Sequence, residues 1–389
     1  MDNIRVMVVD DTVTYRKIVS DVLAGVPGIE VVSSAANGKI ALAKIEQLRP
    51  DILTLDLEMP EMDGLEVLRQ LKQTNSDVGA IVLSGSSAHG AESTMTALSL
   101  GAFDFVAKPA GGSSEENVLM LQQDLRPKIE AFARTRRVHN ILHGHQTPPL
   151  VTMPAPSSME EDDVAEQKGS GTFCPNGPQG ASHKRCLTPF SSGRVDMVAV
   201  GISTGGPQAL NRMLPQLPAD LPVPVLIVQH MPPLFTKSLA DDLDKRCELT
   251  VCEAADGQPV APGHVLIAPG GKQMKVVDEG GQASIRITDD PPENSCRPSV
   301  DCLFRSATRA YGPNAIGVIM TGMGNDGAQG CRQMKQRGAT IIAQDEDTCV
   351  VFGMPREPVE EGIADIVAPL DEIATEIVRL VRQGVAACK

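Results

Sequence analysis

The sequence predicts two doubly wound, mostly parallel-sheet α/β domains joined by a flexible linker. Three observations predict this. Five short apolar runs alternate with helical patterns over the first 125 residues, as strands do when crossover helices join them into a parallel sheet. The same alternation resumes at Val195. Between the two, residues 138–193 hold 7 Pro, 6 Gly and 6 Ser, a third of the stretch, without sustained periodicity. Such a segment buries too little surface to offset its chain entropy.

In the first domain the strands are expected at residues 6–9, 30–33, 52–55, 80–83 and 103–106. Leu65, Leu68 and Leu71 show the helical spacing between them. A fifth helix should begin near Glu115 and fade after Arg137. In the second domain strands are expected at 197–200, 223–228, 249–254, 265–268, 315–320 and 340–343, with helices after Pro207, Leu234, Ser299, Ala328 and Asp371. Residues 274–277 and 283–287, parted by "DEGG", read as a hairpin. The expected divisions are a first domain at 1–125, a helix end and linker at 126–193, and a second domain at 194–389. A linker of about 55 flexible residues has a root-mean-square span of roughly 40 Å. It permits docking without dictating it, so control should reside in the domain interface.

Composition narrows the function. The 389 residues are 42% hydrophobic but only 3% aromatic, with no Trp, so the cores must be aliphatic. A net charge of −14 argues against a nucleic-acid-binding output. The arginines between 126 and 137 read as a solvated helix end. "MDNIRVMVVDD" does not resemble a secretion signal, and no apolar run approaches the ~18 residues of a membrane span. The nine scattered cysteines, without Cys-x-x-Cys, read as reduced thiols of a cytoplasmic protein.

Ligands of parallel α/β sheets bind beyond the carboxyl ends of strands. In the first domain those ends carry Asp10, Asp11, Asp56, Ser84 and Lys108. Any one acid there reads as a loop residue; five polar groups at matching ends do not. Three crowded carboxylates repel unless a cation joins them, and oxygen ligands of this charge suit Mg²⁺. Lys108 and Ser84 can pair with an added phosphate. The stretches "VMVVDDT", "DILTLDLEMPEMDG", "IVLSGSS" and "GAFDFVAKPA" resemble the response-regulator receiver family. The resemblance implies that Asp56 accepts a phosphoryl group from a histidine kinase. It also implies that Asp10, Asp11, Asp56 and the Glu58 carbonyl hold Mg²⁺, that Ser84 and Lys108 contact the phosphoryl group, and that Phe105 is the aromatic switch.

The second domain opens on "VDMVAVGISTGGPQAL". Gly201-x-Ser203-x-Gly205 matches a hydrolase nucleophile elbow, and equally a strand running into an anion cradle. A nucleophilic serine needs a base, a group that orients the base, and oxyanion donors. His230 ends the run "VPVLIVQ", on the same sheet edge as Ser203, whereas His264 starts its strand at the opposite edge. Asp326, in "AIGVIMTGMGNDGAQG", is the acid; Asp345 is a weaker candidate, and Asp289 and Asp290 read as solvated. The order Ser, His, Asp differs from the Ser, Asp/Glu, His order of α/β-hydrolases.

The motifs "GISTGGP", "VQHMPPLFTKSLA", "LIAPGG", "RPSVDCLF", "VIMTGMGNDGA" and "QDEDTCVVFGMP" resemble the CheB family of chemotaxis methylesterases. The resemblance implies Ser203 as nucleophile, His230 as base, Asp326 as orienting acid, Thr204 beside the nucleophile and the Met323 N–H in the oxyanion hole. It implies cofactor-free hydrolysis of glutamate methyl esters on methyl-accepting chemotaxis receptors, and deamidation of receptor glutamines. It further implies that the unphosphorylated receiver covers the active-site face. Family members often carry His where Gln273 stands, which puts a substrate-groove contact in doubt. Cys174, His183 and Cys186 in "FCPNGPQGASHKRC" give only a weak hint of a metal site. Two other readings compete. An anion-binding second domain would leave His230 and Asp326 without a role, and a DNA-binding output lacks a basic recognition helix.

Overall fold

A computed structural model describes residues 3–109, 111, 113–142 and 193–387. Most of the expected linker, with Cys174, His183 and Cys186, lies outside the described residues. The first unit runs β1 (Ile4–Val9), α1 (Val13–Ala24), β2 (Ile29–Ala35), α2 (Gly38–Leu48), β3 (Ile52–Asp56), α3 (Gly64–Gln73), β4 (Gly79–Ser84), α4 (Ala88–Leu100), β5 (Asp104–Ala107) and α5 (Ser114–Leu142). Its strands lie in the order β2-β1-β3-β4-β5, all parallel.

Alternation along each strand feeds two cores. Met7, Val9, Leu53 and Leu55 pack on one face of this sheet, and Val6, Val8 and Ile52 on the other. Side chains close the helix starts: Asn37, Asp63 and Ser87 accept hydrogen bonds from the N–H groups of Ile40, Glu66 and Gly90. Helix α5 continues past Arg137, five residues further than its pattern predicts. Packing anchors it: Leu121, Leu125 and Ile129 are buried, Phe132 meets Phe103 edge-on at 5.3 Å, and Arg136 pairs with Asp51 at 2.9 Å.

The second unit runs β6 (Met197–Ile202), α6 (Gly206–Met213), β7 (Val225–Gln229), α7 (Phe235–Asp244), β8 (Thr250–Glu253), β9 (His264–Ile267), β10 (Gln273–Glu279), β11 (Gln282–Thr288), α8 (Val300–Tyr311), β12 (Ala315–Ile319), α9 (Ala328–Gln336), β13 (Thr340–Gln344), α10 (Arg356–Glu360), β14 (Ile366–Ala368) and α11 (Leu370–Ala387). Seven parallel strands lie in the order β14-β13-β12-β6-β7-β9-β8. The β10–β11 hairpin is antiparallel and separate, tied to α8 by the Val276 N–H to Ser306 Oγ bond of 3.0 Å. Strand β14 and helix α10 were not predicted; three and five residues are too few to show a period. The winding reverses between β6 and β12, which opens a crevice at their carboxyl ends.

The units touch through α4, β5 and α5 of the first and α6 and α7 of the second. Gln208 of α6 donates to the Ala102 carbonyl, and Arg246 lies 3.3 Å from Ser99 Oγ. Thr135 of α5 donates to the Val350 carbonyl at 2.9 Å. Among the described residues no helix is long and apolar enough to cross a membrane.

Candidate active site

Three neighbouring strands, β12, β6 and β7, end at one edge and carry the serine, histidine and acid found from sequence. Ser203 follows β6, where its N–H donates to Thr321 O at 3.0 Å and its carbonyl accepts from Gly206 N at 2.8 Å and Gln229 Nε2 at 2.9 Å. Gly205 makes the turn into α6 at φ 77°, a left-handed conformation that favours glycine. Gly322 lets the β12 turn pass beside the nucleophile position: a Cβ there would lie 2.8 Å from Ser203 Cβ and 2.2 Å from Met354 Sδ. His230 follows β7, and its N–H donates to Ile202 O at 3.2 Å.

His230 Nε2 lies 2.8 Å from Asp326 Oδ2. Asp326 is only 2% exposed. Its carboxylate accepts four more hydrogen bonds: Ser299 Oγ at 2.9 Å and Asn294 Nδ2 at 2.8 Å, then Val300 N at 2.7 Å and Asp301 N at 3.2 Å. The backbone donors open α8, where the helix dipole favours an anion. Burial works to raise the Asp326 pKa, but His230, Asn294 and the Val300 N–H outweigh it and hold the carboxyl below its ordinary value. For His230, burial opposes the charged ring, but Asp326 and then Cys296 lift its pKa to about 9. The second ring nitrogen, Nδ1, faces Cys296 Sγ at 3.7 Å.

The first unit holds the other predicted cluster at the ends of β1, β3, β4 and β5. Lys108 Nζ bridges Asp10 Oδ2 at 2.9 Å and Asp56 Oδ2 at 2.7 Å. Burial raises the Asp56 carboxyl to about 6, against the pull of Lys108. Carboxylate oxygens of Asp10, Asp11 and Asp56 lie within 4.8 Å of one another. This oxygen-only set, with one exposed acid and one frustrated buried acid, fits a hard divalent cation. Glu58 is exposed, and its N–H donates to Asp56 Oδ1 at 3.2 Å. Ser84 does not face Asp56 through a hydrogen bond here; its hydroxyl donates to Gly90 O of α4 at 3.0 Å.

Comparison with known sequences fixes the relationship. Residues 198–377 match the CheB methylesterase family and residues 6–118 the response regulator receiver domain. The protein-glutamate methylesterase/protein-glutamine glutaminase of Desulfotalea psychrophila is 46% identical over 384 residues, covering 98% of this chain and 100% of that protein. This chain belongs to the CheB family. The Trichodesmium erythraeum protein of the same name is 40% identical, covering 97% of this chain and 99% of its own. Among solved structures, the CheB methylesterase catalytic domain of Thermotoga maritima is 45% identical, covering 48% of this chain and 99% of that one, at a TM-score of 0.47. The response regulator domain of the same organism's CheB is 35% identical, covering 33% of this chain and 94% of that one, at a TM-score of 0.30.

As a CheB-family chain, the protein joins a receiver to a carboxylic ester hydrolase domain. A cavity of about 340 Å³ lies between them. Ser203, Thr204, His230 and Cys296 line one side, and Phe105, Asp124 and Lys128 of the receiver line the other. Phe105, buried to 5% exposure, stacks on Phe235 of α7. Thr204 is buried, and its carbonyl accepts from Thr321 Oγ1 at 3.0 Å. Met323 sits partly exposed in the turn that leads from β12 to Asp326.

The remaining candidates separate from this centre. His264 starts β9, with Nδ1 3.1 Å from Pro262 O. Asp345 caps its own turn by accepting from Thr348 N at 3.0 Å. Asp289 and Asp290 pair with Lys272 and Lys275. Gln273, read as a groove position, is fully buried. It donates to the carbonyls of Pro291 and Cys296 and accepts from Ser299 N at 2.9 Å. It therefore braces the loop that supplies Asn294, Cys296 and Ser299. Those three residues were missed as site residues. Ser299 had a signal, since it precedes a helical pattern as an N-cap does. Asn294 and Cys296 had none, because a loop after the hairpin folds back to bring them in.

Proposed function

We propose that Ser203, His230 and Asp326 carry out methylesterase chemistry on glutamate methyl esters of chemotaxis receptors. The single observation that carries this reading is the convergence of the three residues at one sheet edge, with the 2.8 Å His230–Asp326 bond beside a cavity that Ser203 lines. Ser203 Oγ attacks the ester carbonyl while His230 takes its proton through Nδ1, and the same proton leaves with methanol. Water then attacks the glutamyl-serine ester, with His230 again as base. Asp326 holds the imidazole by its Nε2–H and stabilises its positive charge. The Met323 N–H and the start of α6 face the developing oxyanion. A receptor glutamine presents the same carbonyl with an amide leaving group, which supports deamidation at the same centre.

Control falls to the receiver, taken as residues 1–125 and followed by a helix end and flexible linker at 126–193 and the esterase domain at 194–389. Its β5–α5 face, carried onward by α5 into the helix end, lies over the cavity and obstructs a receptor helix on its way to Ser203. Asp10, Asp11 and Asp56, with the Glu58 carbonyl, would hold Mg²⁺, which neutralises these carboxylates and the incoming phosphoryl oxygens. A histidine kinase is the phospho-donor in this reading, and the cytoplasm is where it meets the receptors. Phosphorylated Asp56 competes for the Ser84 hydroxyl and Lys108, drawing Ser84 away from α4 and loosening the face.

The test is methanol release from methylated receptor membranes by the Ser203→Ala protein. Loss of turnover is expected. Turnover at the wild-type rate would overturn the reading, as would failure of a serine-directed phosphonate to label Ser203.

A further inference from the structure

Cys296 lies at the catalytic edge and the esterase reaction does not use it. Its sulfur lies 3.7 Å from His230 Nδ1 and 3.4 Å from the Asn294 carbonyl. Tetrahedral Zn²⁺ binds imidazole nitrogen at about 2.0–2.1 Å and thiolate sulfur at about 2.3 Å, which sets the two ligand atoms about 3.6 Å apart. The observed separation fits that bite.

The His230–Asp326 pair suits a metal ligand as well as it suits a catalytic base. A metal-bound histidine almost always donates its other ring N–H to a carboxylate, a backbone carbonyl or water, which fixes the tautomer and turns the free nitrogen toward the metal. Here that partner is in place: Nε2 faces Asp326 Oδ2 at 2.8 Å, and four further hydrogen bonds pin the carboxylate. His230, Cys296 and Asp326 together present donor atoms within 4.8 Å of one another. The site is open on its other side, because His230 and Cys296 both line the 340 Å³ cavity, where water can fill the remaining coordination positions.

We propose that His230 Nδ1 and Cys296 Sγ form an inhibitory site for a thiophilic divalent cation such as Zn²⁺, oriented by Asp326 and placed on the nitrogen the esterase reaction needs. Binding releases the thiol proton and the Nδ1 proton of the charged ring to solvent and leaves Zn–thiolate and Zn–imidazole bonds, with no change of oxidation state. The site itself stands on geometry. Its inhibitory consequence rests on the proposed role of His230 as base, because a cation on Nδ1 occupies the lone pair that would accept the Ser203 proton.

The experiment uses the full chain, stripped of metal with a chelator. Co²⁺ is titrated while the thiolate-to-cobalt charge-transfer absorption is followed; the acidic cluster around Asp56 has no sulfur and cannot give that band. In parallel, Zn²⁺ is titrated against methanol release, each variant scaled to its own metal-free rate. The wild type and the Cys174→Ser/Cys186→Ser protein are expected to show the band and to be inhibited, with activity restored by chelator. Loss of an outer carboxylate partner alone costs about 10–100-fold in metal affinity, so loss of the sulfur ligand in Cys296→Ser should shift half-inhibition at least that far and abolish the band. A band or an unshifted zinc sensitivity in Cys296→Ser would overturn the proposal, and so would loss of the band in the Cys174→Ser/Cys186→Ser protein. The band is read without turnover, so it is independent of the esterase reading. That reading fails separately if His230→Ala releases methanol at the wild-type rate.

Discussion

The rings of Phe105 and Phe235 stack with centroids 4.7 Å apart and planes 21° from parallel. Phe105 lies three residues before Lys108, and Phe235 five residues after His230. One aromatic pair therefore spans the gap between the receiver's acidic cluster and the catalytic edge.

Replacing Phe105 by Ala should release part of the docking energy. An aromatic pair contributes about 0.5–1.5 kcal/mol beyond its buried area, which corresponds to roughly a 2- to 10-fold shift in the docked population. Basal methanol release should rise by at most that factor, and stimulation by a phospho-donor should shrink. An unchanged basal rate in a protein that still melts cooperatively would count against receiver control through this contact.

Asp56→Asn should keep basal activity and lose phospho-donor stimulation. It should also stabilise the receiver near neutral pH. Folding raises the Asp56 pKa from 3.8 to about 6, so the unfolded chain ionises this acid more readily. The group costs no stability below the lower value, and its cost grows as pH rises through the window between the two. The neutral Asn removes that cost, on the order of 1–3 kcal/mol. Thermal melts should show a gain in Tm above about pH 7 that disappears near pH 4. A pH-independent gain would argue against this origin.

The pH dependence of the esterase should follow His230. Its pKa is raised from 6.5 to about 9 in the docked arrangement, so the neutral base is scarce at neutral pH and the basal rate should climb with pH toward about 9. The stability sign is the reverse. The His230–Asp326 pair stabilises the fold fully below the unfolded value of 6.5 and loses that contribution as pH rises through about 9. Asp326→Asn should move the rate profile to lower pH and cut the rate by roughly 10²–10⁴. A profile flat from pH 6 to 10 would exclude His230 as the titrating base.

Gln273→Ala should act on the catalytic edge from a distance. Removing the amide leaves the buried Ser299 N–H without its acceptor and takes a donor from the Pro291 and Cys296 carbonyls, at a cost of about 1–3 kcal/mol. The loop bearing Asn294 and Ser299 loosens, so kcat should fall more than the KM for methylated receptor changes. A raised KM with unchanged kcat would return Gln273 to the substrate groove.

The catalytic and acidic centres were legible because their residues end apolar runs, and a parallel sheet turns every such end toward one edge. Ser203, His230, Asp10, Asp56 and Lys108 follow that rule, and Asp326 lies in the glycine-rich turn that follows β12 at the same edge. What surrounds them was not legible. Asn294, at φ 50°, and Cys296 lie in an irregular loop whose position is set by packing against Gln273, not by any local period. Gln273 itself was misplaced because its strand belongs to a hairpin that turns the residue inward. The end of α5 was short in the sequence reading because its anchors, Phe103 and Asp51, come from distant elements. The Phe105–Phe235 stack could not be seen, since a pair across two domains leaves no periodic trace.

The receiver and the esterase meet where α4 packs against α6 and α7, with one buried apolar cluster running through both units, the Phe105–Phe235 stack, and the polar contacts of Gln208, Arg246 and Thr135. The two halves share one polypeptide. Tethering gives each half an effective local concentration in the millimolar range. A contact with an intrinsic Kd of about 1 mM is then poised near half occupancy, and about 1.4 kcal/mol in either direction changes the open-to-closed ratio tenfold. A docking contact matched to its tether would make the enzyme adjustable: a single phosphoryl group can tip it, where a tighter seal would lock it.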